Sequence, residues 1–288
     1  MITGFVKRKI DVTFRMGEGE TGEKPGPAIK ISGLRVATRT EYYNAAIQAE
    51  CQIRIYGLKQ SLMNQLVATG YGAHEVRNNS VVLEAGDEGG IMSTVYHGNI
   101  VRSYADYAAF PDVSLNVHCL ASYFDAMKSY PSRSYKGAVD VASILAGIAK
   151  DIGLAFVNDG VNVKLTDQHL TGTAYDQIQK CAEAAGISYV IEYGELVIFP
   201  KNRERNAPVI LISPQTGMVG YPAVSSQDIS VTTLFNPSLA TGKEVEIKSV
   251  STIANGRWVI VGLTHVLESE VPDGAWFSQV FCRRMAGR

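Results

Sequence analysis

The fold is decided by a stretch in the last third of the chain that begins Ser213-Pro214-Gln215-Thr216-Gly217-Met218-Val219-Gly220-Tyr221-Pro222. It continues with Ile229-Ser230-Val231-Thr232-Thr233-Leu234-Phe235-Asn236-Pro237, Gly242, Asn255-Gly256-Arg257-Trp258, Thr264-His265 and Gly274-Ala275-Trp276. β-Branched and aromatic residues fill the runs between the turn signals, which is typical of short β-strands. An Asn-Pro pair opens one loop and an Asn-Gly pair tightens another. The stretch therefore predicts four or five strands in a small barrel or sandwich.

The order of these turn signals resembles the carboxyl-terminal part of baseplate hub (tail hub) proteins from contractile-tailed bacteriophages. In that family a Ser-Pro-x-Thr-Gly-x-x-Gly-x-Pro run precedes a strand and a Leu-x-Asn-Pro loop. An Asn-Gly turn, a strand that ends near Thr-His, and a Gly-x-Trp follow in the same order. The match covers the segment from Ser213 to Trp276.

The composition is that of an ordinary globular protein. The 288 residues are 46% hydrophobic, and 27 basic against 28 acidic residues give a formal charge of −1. Tight nucleic-acid binding depends on clustered Lys and Arg that neutralise many phosphates, so this balance argues against it. The length predicts two or three domains.

The amino terminus and the cysteines indicate the compartment. Met1–Phe14 lacks the apolar core of a secretory signal, so we expect assembly in the bacterial host cytoplasm. No run approaches the roughly 18 apolar residues of a membrane span, so we expect no membrane insertion. Four widely spaced cysteines predict neither a zinc site nor a disulfide framework: Cys51, Cys119, Cys181 and Cys282.

Residues 1–131 predict a first β-barrel domain of the tail-tube type with one flanking helix. Strands are predicted over Phe5–Phe14, Ile29–Val36, Val81–Leu83, Gly90–Val101 and Val113–Leu120, with a bulge or kink at Gly98-Asn99. Leu58, Leu62, Met63 and Leu66 have helical spacing, and Gly70 or Gly72 can end that helix. The order of elements resembles the first barrel of phage hubs.

The segment Arg15–Ala28 is predicted to be a long hairpin loop, because it is rich in glycine and proline. Its three glutamates would repel a phosphate, which argues against a phosphate-binding loop. Long loops of this kind are often contact surfaces. We therefore expect this one to reach a neighbouring baseplate subunit.

The clearest single strand is Ile47–Tyr56, in which apolar and polar residues alternate. Alternation predicts one buried and one solvated face. DNA that passes through a ring must not bind its wall, so a channel lining should be neutral or acidic. We therefore predict that the polar face lines the channel with Gln48, Glu50 and Gln52.

Residues 132–202 predict a small α/β domain in which a helix, a cap and a strand occur twice. Asp140 caps one helix, which ends near Gly153, and Thr173 caps a second, which ends near Gly186, 33 residues further on. A hairpin at Tyr193-Gly194 completes the domain. The charged run 201–206 is predicted to be a linker into the last domain, residues 203–288.

The chain carries no recognisable catalytic pattern. Its five histidines lack metal-ligand spacing, and no Gly-x-Ser-x-Gly motif is present, so no catalytic residue, metal or cofactor is predicted. Paired carboxylates cannot be judged from spacing, which leaves a tail-associated peptidoglycan hydrolase as one alternative. An OB-type oligonucleotide- or oligosaccharide-binding module is the other.

The resulting prediction is a mainly β (α+β) protein with two tail-tube-like β-barrel domains that flank a small α/β domain. The resemblance implies a non-enzymatic homotrimer in the virion baseplate, forming a ring with DNA in transit through its lumen. Its implied partners are the tail tube or a tube-initiator protein, the central spike and other baseplate subunits. Residues of the opening stretch are then interpreted as turns and interface anchors: Phe235, Asn236, Pro237, Gly242, Asn255, Gly256, Trp258, His265 and Trp276.

Overall fold

A computed structural model describes residues 6–18, 24–43, 48–68, 78–201, 203–225 and 228–284. The chain divides into two compact units. The first contains Met1–Glu41, Glu50–Ala121 and His265–Phe277, and the second contains Tyr42–Ala49, Ser122–Thr264 and Ser278–Arg288. Strands dominate both units, so the prediction of a mainly β protein is confirmed.

The first unit is built from antiparallel strands and one helix. Its elements are β1 (Arg8–Glu18), β2 (Lys24–Ile31), β3 (Val36–Tyr43), β4 (Glu50–Tyr56), α1 (Gln60–Ala68), β5 (Ser80–Asp87), β6 (Ser93–Asp106) and β7 (Ser114–Leu120). The strands lie side by side in the order β2-β1-β5-β6-β7-β4-β3. Apolar side chains at alternate positions form the core, among them Val12, Phe14, Ile53, Ile55, Leu83 and Leu115.

The second unit contains the remaining helices and strands. Its first part comprises α2 (Tyr123–Met127), β8 (Arg133–Ser134), β9 (Ala138–Asp140), α3 (Val141–Asp151), β10 (Ala155–Asn158), β11 (Lys164–Thr166), β12 (His169–Leu170), α4 (Ala174–Ala185), β13 (Ile187–Glu192) and β14 (Glu195–Pro200). Its second part comprises β15 (Ile210–Ile212), β16 (Met218–Val224), β17 (Asp228–Leu234), β18 (Glu244–Ile247), β19 (Gly256–Ser269) and β20 (Trp276–Arg283). Strands β19 and β20 contribute residues to both units.

The carboxyl-terminal end of β19 lies beside β3 and extends the sheet of the first unit. Two contacts bring the start of β1 to the connection that follows β19. Arg8 donates a hydrogen bond to the Gly274 carbonyl at 3.2 Å, and Lys7 pairs with Glu270 at 2.8 Å. The guanidinium of Arg8 also lies 5.4 Å from the ring centre of Trp276. At the start of β1, before its pairing with β2 begins at Val12, side chains therefore connect the two edges of the sheet, as in a barrel.

The predicted loop Arg15–Ala28 is largely a β-hairpin, so that prediction is wrong. β1 continues to Glu18 and β2 starts at Lys24, with Gly17 opposite Pro25. Glycine and proline are disfavoured in inner strands, but β2 lies at the edge of the sheet and, among the described strands, pairs with β1 only. On the open side of an edge strand, the N–H group that proline lacks would have no partner strand. Gly26 is required there, because a Cβ would lie 2.0 Å from the Met16 carbonyl oxygen.

The predicted helix–cap–strand repeat is confirmed in the second unit. Asp140 accepts a hydrogen bond from the Ala142 amide at 2.8 Å at the start of α3. Thr173 and Asp176 form a capping box at the start of α4, and Gly186 ends α4 in the left-handed region at φ 63°. Helices α3 and α4 share one core with the three-stranded sheet β10-β14-β13.

The Asn255-Gly256 pair does not form the tight turn that its sequence predicts. The connection from β18 to β19 runs over residues 248–255 and contains a short 3-10 helix, Thr252–Ala254. Asn255 closes this connection by accepting a hydrogen bond from the Ser249 amide at 2.7 Å. The side chain competes for a backbone partner, which favours a longer loop over a two-residue turn.

The run 201–206 was predicted to be a linker, but Arg205 is anchored. Its guanidinium pairs with Glu192 and donates a hydrogen bond to the Thr241 carbonyl at 3.2 Å. Contacts place the predicted middle and last domains largely within one compact unit. The division into domains at residues 131 and 202 stays a prediction.

Candidate interaction groove

The candidate functional site is a groove on the solvated face of the first unit, with a volume of about 520 Å³. It lies over β3, β4, β7, β6 and the end of β19. Its lining residues are Ala37, Thr38, Arg39, Glu50, Gln52, Ile53, Arg54, Arg102, Tyr104, Asn116, Val117, His118, Val266 and Glu268. Ten of these 14 residues are polar or charged, and the set includes three arginines but no lysine.

The strand register arranges the polar side chains in two rows that cross four strands. The first row contains Arg39, Gln52, His118 and Arg102. The second row contains Ala37, Arg54, Asn116 and Tyr104. Neighbouring strands lie about 4.8 Å apart, so the first row extends about 14 Å from Arg39 to Arg102.

A bulge in β6 brings Arg102 and Tyr104 into this groove. The register shifts between Ile100 and Arg102, so that Val101 is the extra residue. If Val101 instead paired with His118 in an unshifted register, Arg102 would lie opposite Val117 and face the core, because an uninterrupted strand alternates its faces. The bulge was predicted at Gly98-Asn99 and instead lies at Val101. The consecutive apolar pair Ile100-Val101 before a polar segment is the sequence signal for it.

Hydrogen bonds hold the side chains of the groove in place. Glu50 Oε1 accepts from Gln52 Nε2 at 2.9 Å and lies 2.9 Å from His118 Nε2. Because a carboxylate only accepts, the Nε2 of His118 carries the proton in this contact. Arg54 donates from Nε to Asn116 Oδ1 at 2.9 Å, which orients its guanidinium group.

The three arginines differ in their partners. Arg39 pairs with Glu41. The guanidinium of Arg102 stacks on the Tyr104 ring at 4.9 Å, and among the described residues Arg54 has the neutral Asn116 amide as its hydrogen-bond partner. Within the described residues, no carboxylate forms an ion pair with Arg54 or Arg102. Two cationic groups in the groove therefore keep unused donors.

The layer beneath the groove is apolar and chemically inert. Cys51 and Cys119 face each other across β4 and β7, and both are fully buried. Burial raises the pKa of the Cys51 thiol to about 12, although a hydrogen bond from Thr40 opposes this shift. Because the thiolate is the reactive form, neither nucleophilic nor redox chemistry is expected from this pair.

Two of the three predicted channel residues lie in the groove. Glu50 and Gln52 project from β4 into it. Gln48 precedes β4 and belongs to the second unit, and Ile47, the predicted first residue of the strand, lies outside the described residues. Arg54 was predicted to lie on this polar face and does so, and Arg39, Arg102 and His118, which sequence reasoning missed, share it with Glu50 and Gln52.

The predicted turn residues of the second unit have structural partners. Asn236 Oδ1 accepts from the Ser238 amide at 2.9 Å, which shapes the loop around Phe235 and Pro237. Gly242 adopts φ 82°, where a Cβ would lie 3.1 Å from Phe199 and Arg205. Trp258 donates from Nε1 to the Ala254 carbonyl at 2.9 Å.

His265 and Trp276 belong to the first unit. His265 is 1% exposed, and desolvation lowers its pKa to about 3, so its ring is neutral at physiological pH. Trp276 is buried beneath Arg8. The roles of these predicted residues as anchors between subunits stay a prediction.

Two further properties concern the described part of the chain. None of its His, Cys, Asp and Glu side chains form a group of three or more that could hold a metal ion. None of its helices has the length and apolar character that a membrane-spanning helix needs.

Comparison with protein families decides the identity of the chain. A family model described as Baseplate hub gp41 matches residues 9–281. The chain belongs to the baseplate hub gp41 family. The resemblance seen in the segment from Ser213 to Trp276 is thereby confirmed, and it extends over nearly the whole chain. A sequence search against curated proteins gives no significant match.

Solved structures show the same fold at low sequence identity. A tail protein from Neisseria meningitidis MC58 superposes with a TM-score of 0.62 at 12% identity, covering 96% of each chain. The 43 kDa tail protein of prophage MuSo2 from Shewanella oneidensis superposes with a TM-score of 0.60 at 10% identity, covering 95% of this chain and 96% of that one. The E. coli c3393 protein, a component of the type VI secretion system, superposes with a TM-score of 0.58 at 9% identity, covering 88% of this chain and 75% of that one.

Family membership and fold lead to the same conclusion. The chain is a structural component of a phage tail baseplate and therefore belongs to the virion tail. Neither the hydrolase nor the OB-type alternative is favoured by these matches.

Proposed function

We propose that the chain is a subunit of a trimeric hub ring that joins the tail tube to the central spike and encloses part of the DNA channel. The observation that supports this proposal is the match to the hub family over residues 9–281. A trimer with two tube-like modules per chain could meet a six-fold tube on one side and a three-fold spike on the other. Its assembly would take place in the host cytoplasm.

The test is the mass of the purified protein in solution, measured by light scattering after size-exclusion chromatography. We expect a trimer, either alone or after addition of the spike protein. A chain that stays monomeric with both its spike and its tail-tube protein would contradict the proposal.

We further propose that the hub has a structural role without enzymatic activity. The match to the hub family supports this view, and the fully buried thiols are not available as nucleophiles. The assay is clearing of a cell-wall suspension. We expect no clearing, whereas clearing that disappears in Glu50→Gln or Glu268→Gln would favour the hydrolase alternative.

The channel prediction remains a proposal, with Gln48, Glu50 and Gln52 facing the lumen. The solvated, alternating face of β4 supports it. A structure of the assembled ring that places these three side chains on the outer rim would exclude it. The arginines on the same face make this test informative, because unpaired cations would retain DNA in a channel.

The hairpin formed by β1 and β2 is proposed to contact a neighbouring baseplate subunit. Beyond the pair Arg15 and Ser80, β1 continues without β5 as a partner, so β1 and β2 extend past the sheet as two strands. Shortening the hairpin between Glu18 and Lys24 should leave the subunit folded but impair assembly. Unchanged assembly would remove this idea.

A further inference from the structure

The groove of the first unit has the composition of a protein-binding surface. Arg and Tyr are enriched where proteins bind one another and often dominate the binding energy, whereas Lys is depleted. The groove contains Arg39, Arg54, Arg102 and Tyr104 and no lysine. The guanidinium group is planar, weakly hydrated and able to bind a carboxylate with two hydrogen bonds.

The two rows also define a spacing. Successive same-face residues on one strand are about 7 Å apart, and the first row extends about 14 Å across four strands. An extended polypeptide places every second side chain on one face, also at about 7 Å. Arg54 and Arg102 lie two strands and one row apart, which corresponds to about 12 Å between their backbone positions. An extended segment places side chains four residues apart on one face at about 14 Å, a difference that two long arginine side chains can span, so acidic residues at positions i and i+4 match this pair.

We propose that this groove binds an extended acidic segment of a partner protein, with Arg54 and Arg102 as the principal carboxylate-binding residues. Both guanidinium groups are oriented by neutral partners, Asn116 and Tyr104, and keep donors for a ligand. Asn116 lies on β7 between the strands of the two arginines, and Gln52 lies beside Arg54 on β4, where its amide can bind peptide groups. The proposed binding goes beyond the hub function, and a segment bound there would cover Glu50 and Gln52, so it is an alternative to exposure of this face in the channel.

A protein segment fits this groove better than nucleic acid does. Glu50 and Glu268 also line it. A phosphate backbone carries a charge at every nucleotide and would meet these carboxylates, whereas a peptide presents its charges only at chosen positions. Mixed charges together with amide groups are typical of protein interfaces.

The test uses the purified full chain and three fluorescein-labelled probes in a fluorescence anisotropy titration. The probes are a nine-residue peptide of alternating Glu and Ala, the same peptide with Gln in place of Glu, and a 20-nucleotide single-stranded DNA. We expect the Glu peptide to bind, with an affinity that falls as salt rises, and the Gln peptide to bind at least tenfold more weakly.

Variants assign the binding to the two arginines. Arg54→Gln and Arg102→Gln should each weaken binding of the Glu peptide roughly tenfold, which is the effect of losing a charge-assisted hydrogen bond. Arg102→Lys should lose part of the affinity, because lysine keeps the charge but not the planar fork. Arg35→Gln is the matched control, since Arg35 also stacks on a tyrosine, Tyr56, but lies outside the groove.

The outcomes separate the possibilities. Loss of binding in the two groove variants, with Arg35→Gln unchanged, supports the proposal. Equal binding of the Glu and Gln peptides, or equal effects of all three Arg→Gln variants, would overturn it. DNA that binds more tightly than the Glu peptide and is released by Arg54→Gln would also overturn it, in favour of nucleic acid. Far-ultraviolet circular dichroism of each variant checks that the fold is intact.

Discussion

The ion pair of Arg205 and Glu192 explains how residues 201–206 are held, and it can be tested quantitatively. The side chains of Arg205 and Glu192 are 11% and 2% exposed. Thr241 donates to the second carboxylate oxygen of Glu192 at 2.9 Å, and Asp159 lies 3.8 Å from Arg205 Nε. Both oxygens of Glu192 are thus used, and the charge of Arg205 is compensated inside the second unit.

Glu192→Gln should lower the free energy of unfolding by about 3–5 kcal/mol, which is the usual cost of breaking a buried ion pair. The carboxamide removes the negative charge and points an N–H group at one of the two donors. Arg205→Met should have a similar effect, because it leaves the Glu192 carboxylate buried without its cation. The double variant Glu192→Gln/Arg205→Met should lose less than the sum of these two single variants, since no buried charge of the pair then remains.

Urea denaturation followed by tryptophan fluorescence is the assay. The two tryptophans lie in different units, with Trp258 in the second. In a Trp276→Phe background, the fluorescence therefore reports the unit that contains the ion pair. The matched control is Asp151→Asn, which removes the partner of Arg133 in the same unit, where the Asp151 side chain is 54% exposed. An exposed pair contributes about 0–1 kcal/mol.

The reasoning would be refuted if Glu192→Gln and Arg205→Met changed the free energy of unfolding by less than about 1 kcal/mol, as the control should. It would also fail if the double variant lost the full sum of the single effects. Additivity would mean that the two side chains stabilise the unit independently rather than as a pair.

Three other predictions follow from single features. His265 has a pKa near 6.5 in the unfolded chain and about 3 in the native chain, so the free energy of unfolding should fall by up to about 1.4 kcal/mol per pH unit as the pH drops between these values. Urea titrations at pH 7 and pH 4 should show a smaller loss of stability for His265→Gln than for the wild type. Burial raises the pKa of Asp11, but hydrogen bonds from Ser32 and Lys30 and the charges of Lys30 and Lys9 outweigh it and lower the pKa. Asp11→Asn should therefore destabilise the hairpin by about 1–3 kcal/mol and speed amide exchange in β2, and unchanged exchange would contradict this. Deletion of Val101 removes the extra residue but leaves Ile100 opposite Cys119 and Arg102 opposite His118, so the chain should stay folded and soluble with Arg102 on the groove face, whereas loss of soluble expression would show that the fold needs the bulge itself.

Several features could be predicted because their cause lies within a few residues. The helix cap at Thr173 and the helix end at Gly186 were predicted from sequence and are present. The alternation in β4 predicted its buried and solvated faces correctly. Backbone preferences and burial periodicity act between near neighbours, so a single sequence contains them.

The groove could be predicted only in part, because it depends on pairing between distant strands. Glu50 meets His118 across 68 residues, and Arg54 meets Asn116 across 62. A one-residue shift in β6 decides whether Arg102 faces the groove or the core. Likewise, the charged run 201–206 resembles a linker until the fold places Glu192 and Thr241 beside Arg205.

The sequence by itself therefore determined the family, the mainly β class, the helix caps and the polar face of β4. Tertiary structure alone decided which side chains share that face, that the glycine-rich segment is a paired hairpin, and that Arg205 is buried. The physical reason is that local conformation is set by interactions between adjacent residues. Register, bulges and buried ion pairs are set by contacts between residues that are far apart in the chain.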